Sequence, residues 1–135
     1  MNYWLVKSEP DTFSWDTFVA LGGDKWDGVR NYQARNNLKL MKLGDIVLFY
    51  HSNISRAVVG VAELVREFYP DPTIENDAWV VVDLKPLHQL KKPVTLVDIK
   101  ANESLKNIGL IRQSRLSVMA LDKSEFDEIL RMSEE

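Results

Sequence analysis

Residues 26–36, Trp-Asp-Gly-Val-Arg-Asn-Tyr-Gln-Ala-Arg-Asn, concentrate polar and aromatic chemistry in one short stretch. Trp26 and Tyr32 carry flat rings on which a nucleobase can stack, a contact worth about 1–3 kcal/mol per base. Asn31, Gln33 and Asn36 each combine a donor with an acceptor, the pairing that reads a base edge. Asn31 also suits the N-cap of a following helix, whose first amides can then face an anion. Arg30 and Arg35 are placed to hold phosphates. A plainer arrangement puts Trp26 and Tyr32 in the core and leaves the rest as caps and solvated helix surface. So polar a cluster beside two large aromatics is, however, unusual core material.

Three smaller clusters accompany it. Lys7, Ser8 and Glu9 stand just before Pro10, where a lysine, a hydroxyl and a carboxylate at a strand end can grip a polar ligand or simply lead into a turn. His51, Ser52 and Asn53 follow an apolar run, so a rigid strand would aim them as a loop. Ser52 and His51 are not read as a nucleophile and its base, because neighbours on a strand point to opposite faces and no third group orients the histidine. Arg115 and Ser117 would share one face of a last strand. With two histidines, no cysteine and no Gly-rich phosphate loop, neither a metal site nor a cofactor site is expected, and no catalytic set is assigned.

These residues need elements to position them. Tyr3–Lys7 reads as a first strand, and Ser14 as the N-cap of a short helix that Gly22-Gly23 breaks. A loop runs through Lys25–Gly28. Ala34, Leu38 and Met41 fall on one face of a helix over 31–42. Strands are predicted over Asp45–Tyr50, Ala57–Glu67 and Ala78–Leu84, the last continuing raggedly to Leu90. Thr95 caps a short helix, Arg115–Leu121 forms a last strand, and Asp122 caps a closing helix with Phe126, Ile129 and Leu130 on one face. Trp4, Trp15 and Trp79 lie among apolar neighbours and are expected in the core. Short strands with helices inserted irregularly argue for an α+β fold with a mixed or barrel-like sheet, rather than a doubly wound one.

The chain of 135 residues fits a single domain spanning 1–135. No stretch approaches the roughly 18 apolar residues of a membrane span, and the first residues do not read as a signal peptide. The lack of cysteine favours a cytoplasmic setting. The net charge of −3 argues against a strongly basic nucleic-acid binder. That total hides an alternation, however. Residues 30–66 and 91–121 each carry +4, outweighed by three acidic stretches, and each basic stretch contains candidate site residues. A local basic face is enough for phosphate contacts, although charge runs are usually just solvated surface.

At this point the chain becomes recognisable. It resembles the EVE domain family through YWLVKSEP, WDGVRNYQARNNLKLMKLGDIVLFYHSN, VVGVAELVREFYPD, AWVVVDL, PVTLVDIK and RLSV, in that order from residue 3 to about residue 118. The resemblance implies a PUA-like fold: a curved, mixed β-barrel of about five to six strands with short helices around it. It also implies recognition of modified nucleic acid, DNA or RNA, with a modified base seated in a pocket. Carried over by position, that pocket draws on Lys7, Ser8 and Glu9, on Trp26, Gly28, Val29, Arg30, Asn31 and Tyr32, and on His51, Ser52 and Asn53.

The expected function is therefore a non-enzymatic module. A modified base would stack on Trp26, Ser8, Asn31 and Ser52 would bond its edge, and Arg30, Arg35 and Arg115 would hold flanking phosphates. The competing expectation is an enzyme acting on RNA or on a modified nucleotide, with His51 as its base. A third is an interaction module for protein or small molecules.

Overall fold

The computed structural model describes residues 1–135. Its strands are β1 (Tyr3–Ser8), β2 (Asp24–Lys25), β3 (Ile46–His51), β4 (Ala57–Pro70), β5 (Val80–Thr95) and β6 (Val118–Leu121). Its helices are α1 (Trp15–Leu21), α2 (Tyr32–Leu40), α3 (Leu96–Ala101), α4 (Gly109–Arg112) and α5 (Lys123–Glu134). The strands form one sheet in the order β2-β5-β4-β3-β1-β6. β1 and β3 run parallel and every other pair is antiparallel.

β1 and β3 lie in the interior of the sheet. Trp4, Leu5 and Val6 are consecutive and buried, as are Val47 through Tyr50. Both faces of these strands are therefore covered, which is why they read as continuous apolar runs rather than alternating ones. The mixed α+β class holds. The ladder of six strands is not closed, because β2 and β6 each pair on one side only.

The helix ends follow the sequence closely. The Ser14 hydroxyl accepts from the Thr17 amide at 3.1 Å, and α1 ends on Gly22 in the left-handed region. The Asn31 side chain accepts from the Ala34 amide at 2.9 Å and starts α2, whose Ala34 and Leu38 are buried with the following Met41. Thr95 caps α3 in the same way, through the Asp98 amide. The Asp122 amide donates to Glu125 at the head of α5.

Several expectations need correction. β5 runs on to Thr95 through Pro86 and Pro93, beyond the ragged end expected at Leu90. It tolerates Pro86 because the β4–β5 register shifts beside it, between the pairs Val61–His88 and Ala62–Pro86. Arg115 and Ser117 lie outside β6, which starts only at Val118, so they do not share a strand face. Trp79 is half-buried and packs outside the core, against Tyr32. Trp15, by contrast, is buried where β4 carries Gly60, and a β-carbon there would come within 2.5 Å of its ring.

Candidate nucleic-acid interface

The chain leaves β1 through a tight turn. The amides of Thr12 and Phe13 donate to the Glu9 carbonyl at 3.0 and 2.8 Å, and the Ser8 hydroxyl donates to the Phe13 carbonyl at 2.5 Å. Opposite this turn, β2 pairs Asp24 with Leu84 and Lys25 with Asp83, and the Trp26 amide extends the pairing to the Val82 carbonyl at 2.7 Å. The two segments enclose an open cleft of about 420 Å³. Lys7, Ser8, Glu9, Trp26 and Gly28, all predicted, meet in its lining. Thr12, Phe13, Asp24, Lys25 and Asp27 complete it and were missed. Two residues of β2 leave no periodic signal, so only the tertiary pairing brings Asp24 and Lys25 to the cleft.

Trp26 forms part of the cleft wall but belongs mainly to the core. It is 7% exposed, and its ring packs edge-on against Phe13, Phe18 and Phe49 at centroid distances of 6.0, 6.4 and 5.4 Å. It offers the cleft a strip of indole rather than an open face. The other lining groups are mostly charged: Lys7 and Lys25 face Glu9, Asp24 and Asp27. Such a cleft can bond the polar edge of a ring, and its carboxylates can accept from an exocyclic amine. Partial burial pulls the Lys7 ammonium below its ordinary pKa.

The predicted residues beyond the cleft divide among three places. A shallow groove of about 350 Å³ is lined by Asn31, Gln33, Gln113, Ser114, Arg115 and Leu116. Lys7 connects it to the cleft by donating from Nζ to the Ser114 carbonyl at 2.7 Å. Arg115 is exposed and makes no ion pair or side-chain hydrogen bond, so its guanidinium is free. Ser117, half-buried beyond the groove, gives its carbonyl to the Lys7 amide.

Next to the groove, Tyr32 stacks on Trp79 at 4.9 Å, Arg35 lies 4.9 Å from the Tyr32 ring, and Arg30 lies 5.7 Å from the Trp79 ring. Arg35 also donates to the Ala78 carbonyl, and Arg30 pairs with Asp71 at 3.0 Å. Val29 is buried in the core. Asp71 is the organising acid, and its place between Pro70 and Pro72 gives no sequence signal of that role. Burial pushes its carboxyl up, but bonds from Thr73, Arg30 and the Gly28 amide outweigh that and leave it below the usual carboxylate pKa.

The third place is the end of β3. His51 sits beside Ser8 in the β1–β3 register, and the Ser52 amide donates to the Ser8 carbonyl at 2.9 Å. The His51 Nε2 atom accepts from the Trp15 amide at 3.0 Å. Burial lowers the His51 pKa, with the Asp16 charge working against it. Asn53 is exposed, in the left-handed region at φ 63°. None of these three residues lines the cleft.

The architecture recurs in known proteins. The crystal structure of Atu2648 from Agrobacterium tumefaciens superposes with a TM-score of 0.96 at 46% identity, covering 98% of this chain and 93% of that one. Human THYN1, solved in complex with 5-methylcytosine-containing DNA, superposes with a TM-score of 0.94 at 34% identity, over 100% and 99% of the two chains. Thymocyte nuclear protein 1 of Gallus gallus is 36% identical over 98% of this chain and 69% of its own length. The EVE domain model matches residues 2–132, and the chain belongs to the EVE domain family.

Proposed function

We propose that this protein is a non-enzymatic module that binds nucleic acid by capturing a modified base in the cleft between the β1 exit and residues 24–28. The observation that carries this reading is the cleft itself: a concave, part-aromatic site with convergent polar groups, in the size range of roughly 300–1,000 Å³ typical of small-ligand pockets. The likeness to human THYN1, which was solved with 5-methylcytosine-containing DNA, supports a modified cytosine as the captured base. A cytosine edge presents an exocyclic amine, and Glu9, Asp24 and Asp27 supply carboxylate acceptors for it. The Trp26 strip and Phe13 supply the apolar contact.

Phosphates belong outside this net-acidic cleft. Arg115 in the adjoining groove has its full set of donors available for them. Arg30 and Arg35 are partly engaged within the protein and contribute only their remaining donors. Extruding a base costs a few kcal/mol, so methylated DNA gains only if the cleft offsets that cost.

The enzyme reading needs His51 as a base, yet its Nε2 lone pair already holds the Trp15 amide. That contact favours the binding reading. The test is equilibrium anisotropy with a short DNA duplex carrying one 5-methylcytosine against the same duplex unmodified, run beside a gel assay on labelled RNA. We expect a preference for the methylated duplex, reduced in Glu9→Ala, and intact RNA. Equal affinity for both duplexes, or RNA cleavage abolished by His51→Ala, would overturn the proposal.

A further inference from the structure

Two aspartates, Asp45 and Asp71, are buried, and Asp71 acts at the cleft although it is not part of the lining. It opens the connection between β4 and β5, and its side chain is wholly removed from solvent. Its Oδ1 atom accepts from the Thr73 amide and hydroxyl at 2.8 and 2.5 Å. These two bonds are local and are those of an ordinary Asx turn. Its Oδ2 atom accepts from the Gly28 amide at 3.4 Å and from the Arg30 guanidinium at 3.0 Å. These two bonds serve no turn, because they cross more than forty residues of chain. Gly28 closes the cleft wall in the left-handed region, at φ 76°. At the other end of the same connection, the Ala78 carbonyl holds Arg35 and Trp79 stacks on Tyr32. The β4–β5 connection is thus tied at both ends to the segment that forms one wall of the cleft.

We propose that Asp71 is a positioning residue for base capture: from the β4–β5 connection it holds the Gly28 wall of the cleft and the Arg30 guanidinium in their binding arrangement. This inference rests on the base-capture reading above. A buried carboxylate is costly unless its lone pairs are filled, and here partners from two separate segments fill them. Asparagine cannot replace it. Whichever way the amide turns, its NH₂ faces donors, either those of Thr73 or those of Gly28 and Arg30.

The test compares Asp71→Asn with wild type on the methylated and unmethylated duplexes, at a temperature where thermal melts show both proteins fully folded. We expect the preference for the methylated duplex to fall by about tenfold, with affinity for the unmethylated duplex changed far less. A merely structural role would lower the melting temperature and leave the preference intact, and that result overturns the inference. Should Asp71→Asn not fold, Arg30→Met, which removes one of the two bonds to Oδ2, is measured in the same way. It is expected to lose preference several-fold, and full retention overturns the inference. Wild-type protein without any preference overturns the base-capture reading first, and the role of Asp71 with it.

Discussion

The imidazole of His51 accepts a hydrogen bond at Nε2 from the backbone amide of Trp15, 36 residues earlier in the chain. This contact ties the first residue of α1 to the end of β3, and it requires a neutral ring. Protonation turns the acceptor into a donor facing a donor. Burial, against the opposing charge of Asp16, lowers the folded-state pKa from 6.5. A lowered value means that the contribution to stability is complete above about pH 6.5 and is lost as the pH falls towards the folded-state pKa. Thermal melts between about pH 5 and pH 8 should show this loss in wild type. His51→Phe should be less stable by about 1 kcal/mol at neutral pH and show a flatter profile.

Replacing Trp26 tests the core as much as the cleft. Its ring contacts Phe13, Phe18 and Phe49, so Trp26→Ala should lose about 3–5 kcal/mol of stability in denaturant unfolding. Trp26→Phe should retain most of that stability. The loss of DNA binding in Trp26→Ala therefore has to be read at a temperature where the variant is folded.

Arg115 should behave in the opposite way. It is exposed and unpaired, so Arg115→Ala should change stability by less than about 0.5 kcal/mol. DNA affinity should fall for methylated and unmethylated duplexes alike. The slope of log K against log salt should become shallower by roughly 1, as for one lost phosphate contact.

Asp45 is a purely structural counterpart of Asp71. Its carboxylate accepts from the Asn2 and Lys42 amides and from the Trp4 indole at 2.9–3.0 Å, joining the start of β1 to the turn before β3. Asp45→Ala leaves these donors unfilled and should cost about 3 kcal/mol in chemical denaturation. The ratio of affinities for methylated and unmethylated DNA should stay at its wild-type value.

Gly60 gives a steric test of the α1–β4 contact. A methyl group there meets the Trp15 ring at 2.5 Å, and backbone on a strand cannot readily retreat. Gly60→Ala should lose about 1–3 kcal/mol by thermal unfolding. Combining it with Trp15→Phe, which shortens the ring, should recover part of the loss.

Local chemistry in the sequence determined much of this molecule. Ser14, Asn31 and Thr95 mark helix starts because a short polar side chain meets an orphan amide three residues on, and Asp122 marks one where the Glu125 side chain reaches back to its amide. β1 and β3 are visible because residues buried on both faces leave an unbroken apolar run. The family was legible in long contiguous strings such as GVRNYQARN. What only the tertiary structure decided depends on separation along the chain. β2 is two residues long and exists because Leu84 and Asp83 lie opposite it. Pro86 sits within a strand because a partner strand shifts register beside it. Trp26 serves the core because three phenylalanines from separate segments converge on it. Arg115 and Ser117 precede their strand, so alternation along that strand says nothing about their directions. Asp71 reads as a turn residue until Gly28 and Arg30, more than forty residues away, are seen to share its second oxygen. Caps and periodic faces are written within a few residues of chain, whereas the cleft is a meeting of distant segments, and its membership follows from packing.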